Sequence, residues 1–230
     1  MSSTRLPGKV LAQVAGAPMI LRQIERLRRC EQLQRIVVAT SDQPTDDRLV
    51  ACLDAAGVPV FRGSLDDVLS RFIGAIDAFG PVRTVVRLTA DCPLADPRLV
   101  DETVTLHLRS GADYTSNTPA RRSFPKGLDV EVFEAAALRV AAGETDDPYD
   151  HEHVTPFLYG HPDRFKIMGL EQTADEGDVR WTVDRPDDLD FVRAVYDGLH
   201  AVNPAFTSAD VRAFVAARPD LIHMGGDRRA

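Results

Sequence analysis

The sequence predicts an α/β fold in which a mostly parallel sheet carries crossover helices on both faces. Two observations predict it. Short apolar, β-branched stretches alternate with amphipathic stretches of helical period, the pattern of strands joined by crossover helices. The length of 230 residues, 44% hydrophobic and 27% charged, suits one buried core with no second domain, and no linker, repeat or low-complexity tract divides it.

In order along the chain, Pro18–Arg29 reads as a helix with proline near its start and Met19, Ile20, Ile24 and Leu27 on one face. Arg35–Thr40 is β-branched and apolar, a buried strand. Thr45–Ala56 is a helix ended by Gly57, Val58–Phe61 a short strand, and Leu65–Phe79 an amphipathic helix ended by Gly80. Thr84–Thr89 is the next strand, followed by the loop Ala90–Pro97 and the helix Arg98–Ser110. Beyond Ala112 the pattern loosens. Strands are expected over Asp113–Ser116, Leu128–Phe133, Phe165–Leu170 and Val179–Val183. Helices are expected over Glu134–Gly143, Pro148–Tyr159, Pro186–His200 and Ser208–Ala217. Residues 224–230 are expected to form a frayed tail. In sheets of this kind ligands sit beyond the carboxyl ends of the strands, which directs attention to the loops after Thr40, Phe61 and Thr89.

Composition excludes several classes. A net charge of −8 argues against a general nucleic-acid binder. Apolar runs such as Ile36–Ala39 are far shorter than the roughly 20 residues that cross a bilayer, and no signal peptide is evident. Cys30, Cys52 and Cys92 lack metal-type spacing and fit reduced thiols in a cytoplasmic protein. Among the cations only Lys9, Lys126 and Lys166 are lysines. Arginines on an acidic background suit a small anionic ligand, because guanidinium binds phosphate and carboxylate in bidentate fashion.

The first nine residues hold hydroxyls at Ser2 and Ser3, a glycine at Gly8, and cations at Arg5 and Lys9. Small residues admit backbone N–H groups to phosphate oxygens and the cations neutralise charge, so this is a candidate triphosphate loop. It lacks the P-loop spacing, and a loose basic tail is the alternative. Asp91 and Asp184 each follow an expected strand. Two carboxylates from separate strand ends, completed by phosphate oxygens, make a Mg²⁺ site. The alternatives are a turn cap before Pro93 and a cap on the helix beginning at Pro186, with Asp187 and Asp188 as first-turn charges favoured by the helix dipole. Arg87 sits on an otherwise apolar strand, so it must be paired or near a ligand, and Thr89 leads into the loop of Asp91. Asp129 and Glu131 share one strand face, either solvated or hydrogen-bonding a ligand, and Lys126 and Arg121–Arg122 lie nearby. His151 and His153 do not share a helix face, Cys92 has no adjacent base, and Trp181 reads as core.

Five segments in series carry a resemblance: 2–9 (SSTRLPGK) with 16–20 (GAPMI), 60–72 (VFRGSLDDVLSRF), 85–97 (VVRLTADCPLADP), 124–133 (FPKGLDVEVF) and 180–189 (RWTVDRPDDL), to which 151–156 (HEHVTP) adds. In this order they resemble the cytidylyltransferases that activate acidic sugars, nearest the spore coat polysaccharide biosynthesis protein F branch and similar to the CMP-N-acylneuraminate and CMP-3-deoxy-manno-octulosonate synthetases. The resemblance implies a three-layer α/β/α nucleotide-diphospho-sugar transferase fold of Rossmann-like kind. It implies CTP and a sugar as substrates, Mg²⁺ as cofactor at Asp91 and Asp184, and Arg5 and Lys9 on the phosphates. By the same resemblance Ser2, Ser3, Arg62, Arg71, Arg87 and Thr89 fall to the nucleotide, and Lys126, Asp129 and Glu131 to the sugar. For Arg71, inside an expected helix, an exposed surface position is the alternative. Homodimerisation is common in these families, and Pro148–Tyr159 is a candidate contact. In them an apolar strand precedes the phosphate loop; here Met1 opens inside the loop, and the expectation is an upstream start with Met1 internal. Two rival readings stand beside this one: a sugar nucleotidyltransferase using another nucleotide, and a non-catalytic binding protein of a glycan pathway.

Overall fold

A computed structural model describes residues 5–118, 121–224 and 228–229. A short 3-10 turn, Lys9–Leu11, leads into a small hairpin of β1 (Gln13–Val14) and β2 (Ala17–Pro18), then α1 (Met19–Leu27). There follow β3 (Val38–Ser41), α2 (Asp47–Ala55), β4 (Val60–Gly63), α3 (Val68–Phe79), β5 (Thr84–Arg87), α4 (Pro97–Ser110) and β6 (Tyr114–Ser116). The second half holds β7 (Glu131–Glu134), α5 (Ala135–Glu144), α6 (Pro148–His153), α7 (Pro156–Gly160), β8 (Ile167–Gly169), α8 (Pro186–Leu199), α9 (Ser208–Ala216) and α10 (Pro219–Ile222).

Strands β3 and β4 pair in parallel, with Val38 opposite Val60 and Ser41 opposite Gly63. The remaining strands form a sheet of order β5-β7-β6-β8, in which β6 and β8 are parallel and β7 runs antiparallel to both its neighbours. Successive residues of a strand face opposite sides. Val132 of β7 accordingly joins one core with Leu99 and Val100 of α4 and Phe191 and Val195 of α8, while Phe133 joins another with Leu69 and Ile76 of α3 and Leu138 of α5. Apolar burial on both faces of one strand is the three-layer α/β/α arrangement. A third cluster, Ile20, Ile24, Leu49, Leu53 and Val58, closes α1 and α2 over the β3–β4 pair. Among the described residues no strand pairs with the second edge of β3 or of β5, so the ladder is interrupted between them.

Several elements differ from the sequence expectation, each for a local reason. The strand expected from Arg35 begins at Val38, because its partner β4 begins at Val60. The strand expected from Leu128 begins at Glu131. Before it the buried side chain of Asn117 takes the place of a neighbouring strand, donating to the Leu128 carbonyl at 2.7 Å and accepting from the Val130 N–H at 2.8 Å. Val179–Val183 forms no ladder beyond one parallel bridge, Lys126 to Arg180. Its amides go to four separate places: Val179 to the Glu176 carbonyl, Arg180 to that of Arg228, Trp181 to that of Lys126 and Val183 to that of Asp91. The helix expected over Pro148–Tyr159 is two helices, broken at Val154, whose φ of 77° no helix accommodates. The helix expected from Leu65 starts at Val68 because the Asp67 carboxylate caps it, accepting from the Ser70 N–H at 2.8 Å. The expected fraying of the tail does not hold for Arg228 and Arg229. Arg229 is fully buried, and Arg228 pairs with Asp178 at 2.9 Å.

Candidate active site

Gly8, at φ 71°, turns the chain into the 3-10 turn and sends the Lys9 side chain inward. The Lys9 ammonium donates to the Val183 carbonyl at 2.6 Å, to Asp184 Oδ1 at 3.0 Å and to Asp91 Oδ2 at 3.2 Å. Arg5, largely exposed, reaches Asp184 Oδ1 at 3.1 Å. The structure therefore brings Arg5, Lys9, Asp91 and Asp184 to one point, and the described part of the opening loop is no loose tail. Ser2 and Ser3 lie outside the described residues.

Two loops carry the carboxylates, and backbone bonds stitch them together. The Val183 N–H donates to the Asp91 carbonyl at 2.8 Å, and the Thr182 hydroxyl donates to the same oxygen at 3.3 Å. Thr89 donates to Asp91 Oδ1 at 2.6 Å and so sets the carboxylate's rotation. Gln23 of α1 holds the Thr89 carbonyl at 2.9 Å. Burial raises the carboxyl pKa of Asp184, but hydrogen bonds from Lys9 and Arg180 outweigh it and hold it below its usual range. Asp184 does not cap α8. Its neighbour Asp188 does that, accepting from the N–H groups of Asp184 and Arg185, each at 2.9 Å.

Asp188 extends the sequence reading. Expected as a first-turn helix charge, it stands in that turn but is buried and ion-paired to Arg180 at 3.3 Å and to Arg229 at 2.6 Å. Its burial raises the pKa, yet Arg229, the Asp184 N–H and Arg180 together hold it down at about 2. Arg180 also donates to Asp184 Oδ2 at 2.6 Å. The signal in the sequence was the acid at the third helical position after Arg185, a place that reaches back to the cap.

The other expected site residues have local partners. Arg62 donates to the carbonyls of Ser41 and Gln43, at 3.1 and 3.0 Å, and pairs with Asp47 at 2.8 Å. Arg71 donates to the Ser64 carbonyl at 2.6 Å and is half-buried, not the exposed surface arginine of the alternative. Both guanidinium groups thus hold the loops after β3 and β4. Arg87 is paired, as its burial requires: it meets Glu131, whose Oε1 also accepts from Tyr114 at 2.8 Å and from Thr155. Glu131 is thereby enclosed in protein contacts. Asp129 is held by Arg122, with Nη2 to Oδ2 at 3.0 Å. Lys126 is exposed and lines a cleft of about 620 Å³ with Arg122, Asp175, Asp178 and Arg228. Its backbone bridge to Arg180 puts this cleft one residue contact from Asp184.

Alternative chemistries lose ground. Burial and the Asp91 carboxylate push the Cys92 thiol well up, which removes a thiolate nucleophile. His151 pairs with Asp67 at 3.0 Å whereas His153 stacks on Tyr149, so the two rings serve different partners. Among the described residues no three His, Cys, Asp or Glu side chains converge on one point. Two carboxylates on one cation suit an ion that draws its remaining ligands from phosphate and water, as Mg²⁺ does. No helix among the described residues is long and apolar enough to cross a membrane.

Fold and site together define a nucleotidyltransferase of the nucleotide-diphospho-sugar transferase fold. The chain belongs to the cytidylyltransferase family, whose pattern it matches over residues 1–202. It is 34% identical to the spore coat polysaccharide biosynthesis protein SpsF of Bacillus subtilis, over 96% of this chain and 92% of that protein. A 3-deoxy-manno-octulosonate cytidylyltransferase of Mesorhizobium japonicum is 36% identical over 44% of this chain and 41% of its own. Among solved structures, a cytidylyltransferase from Leptospira borgpetersenii superposes with a TM-score of 0.90 at 28% identity, covering 96% of this chain and 92% of its own.

Proposed function

We propose that this protein transfers the cytidylyl group of CTP to a hydroxyl of an acidic sugar, of nonulosonate type, in the making of a surface polysaccharide or glycan. The sugar oxygen attacks the α-phosphorus, the bond to the β-phosphate oxygen breaks, pyrophosphate leaves, and the hydroxyl proton passes to solvent. The observation that carries this reading is the convergence of Asp91 and Asp184 on the Lys9 ammonium, in a chain of the cytidylyltransferase family.

Asp91 and Asp184 would hold a magnesium ion, which when bound neutralises phosphate charge and polarises the α-phosphate. Lys9, which spans the two carboxylates, and Arg5 would bind the triphosphate. Ser2 and Ser3 are assigned to the same phosphates. Thr89 orients Asp91, and Arg62, Arg71 and Arg87 shape the nucleotide side. Lys126, beside Arg122 and Asp129, offers an exposed cation for the sugar carboxylate, and Glu131 is assigned to the sugar by the family resemblance. Catalysis is then positioning and charge stabilisation, with no side chain required as a general base.

Pyrophosphate release measured with CTP, ATP, GTP and UTP against a panel of acidic sugars tests this reading. CTP with at least one acidic sugar should turn over well above the rest. Equal rates with all four nucleotides, or turnover confined to neutral sugars, contradicts it.

A further inference from the structure

Arg229 lies beyond the residues matched to the family, and none of the roles above uses it. Its side chain is fully buried and fully engaged. It donates to Asp188 Oδ1 at 2.6 Å, to the Arg180 carbonyl at 2.8 Å and to the Met224 carbonyl at 3.1 Å, and lies 5.2 Å over the Phe191 ring. Its own carbonyl accepts from the Trp181 indole. The second oxygen of Asp188 accepts from the Asp184 N–H, and Arg180 bridges Asp188 to Asp184 Oδ2. Two short routes, one through backbone and one through a guanidinium, thus lead from Arg229 to the carboxylate that faces Lys9. Burying two charges costs desolvation that an apolar pair of the same volume would avoid. What the charged pair supplies here is a fixed direction for the groups around Asp184.

We propose that Arg229 is a positioning residue of the active site: acting through Asp188 and Arg180, it fixes the Asp184 carboxylate in the orientation that receives the metal-bound nucleotide. This rests on the reading of Asp184 given above. The outer partners of a metal ligand fix its orientation, and so its affinity for the metal.

The experiment is a Mn²⁺ titration followed by electron paramagnetic resonance in saturating CTP, with metal-free CTP affinity and thermal unfolding measured on the same samples. The proteins are the wild type, Asp184→Asn, Arg229→Met, Arg229→Lys and the double variant Arg229→Met, Asp188→Leu. Arg229→Met should weaken Mn²⁺ roughly 10–100-fold, the scale of an outer-shell loss, with metal-free CTP affinity unchanged and Arg229→Lys restoring most of it. The double variant removes both charges of the buried pair together and leaves Arg180 on Asp184; compared at its own folded fraction from thermal unfolding, it should lose Mn²⁺ affinity equally. Wild-type Mn²⁺ affinity in either folded variant overturns the proposal, as does a loss that merely tracks the unfolded fraction. If Asp184→Asn binds Mn²⁺ as the wild type does, the reading of Asp184 itself fails and takes this one with it. Weakening in Asp184→Asn without weakening in Arg229→Met removes Arg229 alone.

Discussion

Lys9 meets both site carboxylates and a carbonyl with a single ammonium, so each partner sees a cation before any ligand arrives. Replacing it with alanine removes that bridge and, on the function proposed above, one phosphate donor. Loss of one preorganised donor typically costs ~10²–10³ in kcat, and that is the expected fall in steady-state pyrophosphate release for Lys9→Ala. Asp184→Asn should cost at least as much, because several kcal/mol of metal charge stabilisation equals more than about 10² in rate. Lys9 and Asp184 were named in the sequence, the first against a loose basic tail and the second against a helix cap, and the fold brings the two together. The burial of Asp188 and Arg229 was not legible there: an acid in a first helical turn and a terminal arginine both look solvated until the fold buries them.

Between elements, two junctions carry expectations. Gly127, at φ 106°, lets the Lys126 segment lie against Thr182; a Cβ there would stand 2.6 Å from the Thr182 nitrogen and 2.7 Å from the Trp181 carbonyl carbon. Both obstacles are backbone. Gly127→Ala should therefore destabilise by roughly 1–3 kcal/mol or more, read as a fall in Tm of about 2–4 °C per kcal/mol. The α3–α6 junction holds the Asp67–His151 pair. The hydrogen bond to Asp67 raises the His151 pKa, so its stabilisation is complete below the unfolded histidine value and fades as pH rises through the folded one. For Asp67, burial raises the pKa and the Ser70 N–H and His151 outweigh it, so its share is lost as acid is added below the carboxylate range. Melting followed from about pH 5.5 to 8 should show the Tm advantage of the wild type over His151→Gln shrinking as pH rises. Element types were mostly legible because apolar period depends on local sequence alone. The strands expected at Leu128 and at Val179 were the exceptions, since Asn117, Arg228 and Asp91 take their backbone bonds from distant positions.

At the scale of the molecule the site exists only where three remote stretches meet. Lys9 is 82 residues from Asp91 and 175 from Asp184 in sequence. The loop of Asp91 and the segment of Asp184 rest on the same core, with Leu94, Val183, Phe191 and Val195 buried together. Ligand binding to such a site must stabilise the whole fold. At a hundredfold excess over Kd the gain is about 2.7 kcal/mol, so CTP with Mg²⁺ should raise Tm by several degrees, and the rise should vanish in Lys9→Ala. The layered α/β architecture was anticipated from the alternation of elements, whereas the strand order is known only from the structure. The antiparallel course of β7 was not anticipated, because apolar period carries no strand direction. The central claim is that Asp91, Asp184 and Lys9 together transfer a cytidylyl group. It is tested most directly by ³¹P NMR of CTP incubated with Mg²⁺, an acidic sugar and either the wild type or Asp184→Asn. The wild type should convert the CTP resonances into pyrophosphate and a new phosphodiester signal, and Asp184→Asn should leave them standing. Unchanged CTP with folded wild type across the acidic-sugar panel, or equal conversion by Asp184→Asn, would contradict it.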